Sequence, residues 1–171
     1  TGSDTFLKNP RAMSPRKVAQ VMAETGAYRF EIADETFPVN RQLAVGEELK
    51  KIGHDATWNC YLTITNDLLD PERCRRLHEA GCRGVQLGLE SLSRDTLLRE
   101  VKSWNHPENY GKILKNLSDV GIQNHVFLLI GLPGESLQTS LRWLPFLEEH
   151  GENMLTIKAG RYRLTKSSPE E

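Results

Sequence analysis

The sequence predicts an α/β fold, a partial (β/α) barrel with about five parallel strands, in one domain over residues 14–171 behind a polar lead-in at 1–13. Three observations predict it. Short apolar runs of strand character alternate with longer stretches whose apolar residues recur at helical spacing. Ser14-Pro15 and Asp70-Pro71 each place a capping side chain before a proline at the first helical position. Gly26, Gly53, Gly81, Gly121 and Gly151 each close a helix, and a strand-like run follows within a few residues. A repeated α–turn–β unit implies a parallel sheet with right-handed crossovers. A closed eight-stranded barrel takes roughly 250 residues. The chain has 171, so the sheet is open or part of a barrel.

The first helix starts at Ser14-Pro15, carries Val18, Val21, Met22 and Thr25 at helical spacing, and stops at Gly26. Tyr28–Ala33 reads as a strand with Asp34-Glu35 at its end, and Phe37-Pro38 breaks the chain. Asn40 is expected to cap a helix over Arg41–Lys51, with Leu43, Leu49 and Ile52 as its apolar positions. Thr57–Ile64 is β-branched and aromatic, a strand. The helix from Asp70-Pro71 ends at Gly81, and Gly84–Leu89 is the next strand, followed by Glu90-Ser91. Ser93–Val101 is a short extra helix, and Pro107 starts another with Tyr110, Ile113, Leu114 and Leu117 on one face.

His125–Ser136, HVFLLIGLPGES, reads as strand, tight turn and helix. Pro133 suits the second position of a type II turn, Gly134 the third, where φ is positive, and Ser136 is an N-cap. One helix is expected over Ser136–His150, with Leu137, Leu141, Leu144 and Leu147 apolar and a kink at Pro145. Met154–Ala159 is the last strand, and the remainder is polar, first basic and then acidic.

A hydrophobic content of 38% and a charged content of 26% are those of a soluble domain. The net charge of −1 gives no global attraction to nucleic acid. No apolar run approaches the ~20 residues a membrane helix needs, and no signal-peptide pattern is present. Cys60, Cys74 and Cys82 are an odd, widely spaced set, which argues against a secreted disulfide framework and for a reducing, cytoplasmic setting. They form no CxxC or CxxxC pair, so no metal ligands are assigned. All three are expected to be reduced, with Cys60 and Cys82 in or near strands.

Parallel strands align their C-terminal ends on one edge, where such folds bind ligands. That edge would collect Asp34-Glu35, then Thr63, Thr65 and Asn66, then Glu90-Ser91, then Gly131 to Glu135, and Gly160-Arg161. Strand-to-helix loops are polar in any such fold, so no single pair decides. Carboxylates at three of the five ends are more telling. The turn lacks the lysine of a phosphate-binding loop, and Glu135 stands where a phosphate needs positive charge. Carboxylates and hydroxyls suit ribose diols and a cationic group such as an amine or sulfonium. The five histidines are expected in helices, at helix ends or in loops, and Trp58, Trp104 and Trp143 in packing roles. Lys158, Arg161, Arg163 and Lys166 read as a solvated edge rather than an RNA surface.

The series FEIADETF, TWNCYLTI, LDPERCRRLHEAGCRGVQLGLES, a lysine-containing helix and VFLLIGLPGES resembles the core of radical S-adenosylmethionine (SAM) enzymes over roughly Arg11–Pro169. The closest likeness is to the branch that often carries a cobalamin-binding domain. The resemblance implies the second to sixth strands of an incomplete (β/α)6 core. It implies that Asp34 and Glu35 meet the methionine amino group, and Glu90 and Ser91 the ribose and methionine. Lys102 would meet the methionine carboxylate, and Leu129, Ile130 and Gly131 the adenine. Arg161 to Leu164 would border the substrate or the adenine.

By the same resemblance the parent enzyme uses a 4Fe-4S cluster to cleave SAM reductively, for radical modification or methylation of an unknown substrate. The 5′-deoxyadenosyl radical would abstract a substrate hydrogen, or cobalamin would relay a methyl group. The family holds its cluster on CxxxCxxC after the first strand, which this sequence lacks. We therefore expect a chain that begins just after the cluster loop, binds no cofactor as isolated and cannot cleave SAM by itself. No catalytic residue is assigned. The alternatives are a non-catalytic binding module on the same scaffold and an unrelated α/β domain. An unpaired sheet edge, where the first strand would lie, is expected to promote self-association.

Overall fold

The computed structural model describes residues 13–99 and 104–163. Lys102, Leu164, Lys166 and nearly all of the 1–13 lead-in lie outside the described residues. Five strands, β1 (Arg29–Ile32), β2 (Thr57–Tyr61), β3 (Cys82–Glu90), β4 (Gln123–Ile130) and β5 (Thr156–Arg161), form one parallel sheet in the order β1-β2-β3-β4-β5. Because the spatial order follows the chain order, every crossover steps the same way. Right-handed crossovers then put all the connecting helices on one face. Alternation within the strands records this. Trp58 and Cys60, Val85, Leu87 and Leu89, and Val126 and Leu128 are buried toward the helices. Thr57, Asn59, Tyr61, Gln86, His125 and Phe127 are not, and they stand on the open face.

The helices follow local signals where caps are strong. In α1 (Pro15–Thr25) Ser14 accepts from the Lys17 amide at 3.3 Å, and Gly26 ends it at φ 67°. The second helix, α2, is Val39–Ile52, not Arg41–Lys51. Asn40 does not cap it; its Oδ1 accepts from the Arg73 guanidinium. Its buried positions are Val39, Gln42, Val45, Gly46 and Leu49, whereas Ile52 is 44% exposed. Leu49 is buried and Leu43 partly so, as expected, and two contacts set the rest of the buried face. Buried Gln42 accepts from the Trp58 indole at 2.8 Å and donates to the Phe37 carbonyl at 2.6 Å. A Cβ on Gly46 would lie 2.6 Å from Ala80 Cβ, so the glycine lets α3 (Pro71–Ala80) approach closely.

A short α4 (Arg94–Arg99) follows β3. Pro107 opens a 3-10 turn, Pro107–Asn109, rather than the helix itself, which is α5 (Tyr110–Asp119). The helix expected over 136–150 is two, α6 (Leu137–Leu141) and α7 (Trp143–His150), separated at Arg142. Pro145 becomes the third residue of α7, where its missing N–H needs no partner. Leu137, Leu141 and Leu144 are exposed, while Trp143 is buried. The strand ends also moved. β2 stops at Tyr61, before Ile64; its last carbonyl accepts from the Phe37 amide at 2.8 Å. β5 begins at Thr156 rather than Met154 because the chain first makes a 3-10 turn, Gly151–Asn153. His125 lies within β4, not in a helix or loop, and bonds Thr156 across the sheet at 2.9 Å.

Candidate functional site

β3 ends in an unusual backbone. Glu90 has φ 63°, the one non-glycine with positive φ among the described residues. The Ser91 amide donates to the Leu89 carbonyl at 2.8 Å, closing a γ-turn with Glu90 at its centre. The same carbonyl accepts from the Tyr110 hydroxyl at 2.8 Å and from Asn105 Nδ2 at 3.4 Å, and Nδ2 also reaches the Gly88 carbonyl at 3.1 Å. Tyr110 and Asn105 are both buried. Burial holds the Tyr110 phenol above its ordinary pKa, so it stays a donor. A positive φ in a non-glycine costs on the order of 1–3 kcal/mol and persists only where its surroundings enforce it. Here they do, and the β3–β4 register shifts at the same place, between Gly88 and Glu90. The bend turns Glu90 over Gly88, whose Cβ, were there one, would lie 2.6 Å from Glu90 Oε1.

The end of β4 follows the expected turn. Glu135 N–H donates to the Leu132 carbonyl at 2.9 Å with Gly134 at φ 76°, and Ser136 accepts from the Thr139 amide at 3.1 Å. Glu135, expected to face a ligand, instead joins two strand ends. It accepts from Ser91 Oγ at 2.7 Å, from the Gly131 amide at 3.0 Å and from Ser140 Oγ at 3.1 Å. The bond from Ser91 ties the end of β3 to the turn after β4, and the other two stay within that turn and the start of α6.

Between these ends lies a cleft of about 440 Å³, lined by Glu35, Tyr61, Gln86, Gly88, Glu90, Trp104, Asn105, Phe127 and Leu129 among others. Of the residues expected in the site, Glu35, Glu90 and Leu129 meet here. Asp34 is exposed and does not line the cleft. Ser91 is fully buried; its hydroxyl donates to Glu135 and accepts from the Ser93 amide. Ile130 packs partly against the core, and its carbonyl accepts from the Tyr162 amide. Gly131, at φ 81°, gives its amide to Glu135. Tyr61, Gln86, Trp104 and Phe127 had not been anticipated; Trp104, assigned to packing, is 47% exposed at the rim. Strand alternation carries the signal for the other three, once the face opposite the helices is known. A larger cleft of about 730 Å³ opens at the other end of the sheet around Arg29, Thr57, Arg83 and Gln123. It lies at the N-terminal ends of the strands, the end that serves stability rather than chemistry in such folds.

The three cysteines are free and buried on the helix side of the sheet or beneath it. Cys82 is held well above its ordinary pKa, first by its hydrogen bond with Cys60 and then by burial. Burial pushes the Cys74 thiol up to about 11, and its Sγ donates to the Leu68 carbonyl. A metal ligand must be a thiolate, so Cys74 and Cys82 do not fit an iron–sulfur cluster. Among the described residues no three His, Cys, Asp or Glu side chains are grouped to hold a metal ion.

Comparison with known families decides the kinship. A model of the radical SAM superfamily matches residues 2–144. The chain belongs to that superfamily. Bacteriochlorophyllide d C-8(2)-methyltransferase of Chlorobaculum tepidum is 34% identical over 95 residues, 54% of this chain and 21% of that protein. In fold, this radical SAM chain is similar to the radical SAM methyltransferase TsrM from Kitasatospora setae, solved with cobalamin and a 4Fe-4S cluster. The TM-score is 0.61 at 17% identity, over 83% of this chain and 27% of that one. Methylornithine synthase (PylB) is similar at TM-score 0.53 and 12% identity, over 91% and 45% of the two chains. The chain spans about a fifth to a quarter of the length of the first two relatives. Among the described residues no helix is long and apolar enough to cross a membrane.

Proposed function

We propose that this chain is the SAM-holding face of a radical SAM enzyme of the cobalamin-associated branch, acting in methylation or radical modification. The observation that carries the reading is Glu90, bent by a γ-turn over Gly88 into a cleft it shares with Glu35 and Leu129. Such a cleft fits a nucleoside joined to an amino acid. The Glu90 carboxylate accepts from ribose hydroxyls or the ammonium, as Glu35 does from across the cleft, with Asp34 beside it in sequence. Leu129 gives the adenine an apolar wall, and the backbone around Ile130 and Gly131 borders it. Ser91 and Glu135 act one step back, fixing the two strand ends. Lys102 is assigned the methionine carboxylate on motif position alone.

A 4Fe-4S cluster would supply an electron to the SAM sulfonium, and cobalamin would carry a methyl group; no described residue is assigned as a ligand to either. Cys74 and Cys82, buried and held as thiols, do not suit the cluster. Two relatives are methyltransferases by name, which favours methyl transfer over other outcomes. Three free buried thiols suit a reducing, cytoplasmic setting.

Isothermal titration of SAM, and of 5′-methylthioadenosine, which lacks the amino acid, tests the reading on this chain. Both should bind. Glu90→Gln removes a charge-assisted hydrogen bond and should weaken both by about tenfold or more. No heat with either ligand, or a Glu90→Gln chain that binds like the wild type, would refute it.

A further inference from the structure

The open face of the sheet carries a second, chemically distinct row below the strand ends. Tyr61 of β2 and Phe127 of β4 stack with ring centroids 6.3 Å apart and planes 27° from parallel. Their strands are not neighbours; β3 lies between them. Two strand spacings come to about 9.6 Å, so the rings lean toward each other across β3. The β3 residue in register with Phe127 is Gly88, which adds no side chain of its own, and the Glu90 carboxyl stands over it, beside the two rings. On the far side of Phe127 is its register partner Lys158 of β5, whose ammonium sits 5.6 Å from the ring centroid. Tyr61 is 41% exposed and Trp104, on the rim of the same cleft, 47%.

Tyr61 is exposed and Phe127 half-buried, on a face whose neighbours are Gln86, His125 and Thr156, and neither ring belongs to the core. A row that runs aromatic, aromatic, cation has a definite chemical complement. Ring faces and edges favour a flat, polarisable partner over an aliphatic one. Lys158, exposed on an edge strand, is free to turn from Phe127 toward an anionic group within reach of its stem. Glu31, which accepts from Gln86 Nε2 at 3.1 Å, together with Glu35 and Glu90 in the same cleft, disfavours an anionic group on the β1–β3 side and leaves the Lys158 side for it. We infer that the Tyr61–Phe127–Lys158 row is the substrate subsite, and that it takes a planar aromatic molecule bearing a carboxylate, its ring against Tyr61 and Phe127 and its anion toward Lys158. The assignment rests on the reading of the same cleft as the SAM site, since the row adjoins the Glu90 carboxyl over Gly88.

The test uses three probes: 1-naphthoate, its neutral amide 1-naphthamide, and cyclohexanecarboxylate, each followed by equilibrium dialysis against this chain. Naphthoate should bind, naphthamide about tenfold more weakly for want of the charge pair, and cyclohexanecarboxylate more weakly still. Lys158→Met should bring naphthoate down to the level of naphthamide without changing naphthamide itself. Phe127→Leu should weaken both aromatic probes together. Lys158 is exposed, so its variant keeps the fold, and an unchanged amide spectrum in two-dimensional NMR checks this. Cyclohexanecarboxylate binding as tightly as naphthoate, no binding of naphthoate, or naphthoate affinity indifferent to Lys158→Met would each overturn the assignment. SAM titrations on the same samples separate the two readings: naphthoate binding without SAM binding leaves the subsite and removes the SAM site, and the reverse removes only the subsite.

Discussion

Glu90 was visible in the sequence as a carboxylate at a strand end, but its φ of 63° was not. That conformation comes from donors remote in the chain, Tyr110 and Asn105, converging on one carbonyl. In the sequence Gly88 is only one residue of an apolar strand, yet it makes room for the Glu90 carboxyl. Gly88→Ala would place a methyl 2.6 Å from Glu90 Oε1, the end of a flexible side chain, so Glu90 moves and the backbone does not. The expected outcome is a stability change within about 1 kcal/mol but SAM affinity reduced as far as in Glu90→Gln. Chemical denaturation paired with SAM titration checks it; loss of stability with affinity intact would show that Gly88 serves packing instead.

At the scale of elements, caps and turns obeyed local chemistry, whereas the buried face of α2 did so only in part. The signals at Ser14-Pro15, Asp70-Pro71 and Pro133-Gly134 each act within four residues, and each produced its feature where expected. The rest of that face answers to Trp58 and Ala80, far along the chain, and buries a glutamine and a glycine in place of Ile52. Glycine inside a helix normally costs 0.5–1 kcal/mol against alanine, roughly. Gly46→Ala should nevertheless destabilise, by about 1–3 kcal/mol, because the added methyl meets the Ala80 backbone, which cannot swing aside. A denaturation midpoint at or above that of the wild type would mean that α2 and α3 can separate without cost.

For the molecule as a whole, stability should depend on pH through the packing of α3 against the sheet. His78, half-buried in the last turn of α3, has its pKa lowered from 6.5, first by burial and then by the nearby Arg83 guanidinium, with Glu79 opposing. Arg83 is fixed there by donating to the His78 carbonyl at 2.6 Å. The unfolded chain takes up this proton near 6.5 and the folded chain only at lower pH. Between those values the unfolded state binds more protons, so stability present above about 6.5 is lost as pH falls. Urea midpoints measured above and below that value should drop on the acid side, and less steeply in His78→Gln; equal acid slopes in the two proteins would assign the effect to other groups.

By itself the sequence determined the alternation of strands and helices, the parallel sheet, the turn at Leu132–Glu135, and the kinship with the radical SAM superfamily, because caps, periodicity and motif order are local and act along the chain. It placed Glu35, Glu90 and Leu129 correctly at strand ends. Only the tertiary structure decided that these three share one cleft, that Ser91 and Glu135 are bonded to each other, and that Tyr61, Phe127 and Lys158 form a row. Each of those facts depends on register between strands and on which face the crossovers leave open. Both are set by packing among residues tens of positions apart, and no local pattern encodes them.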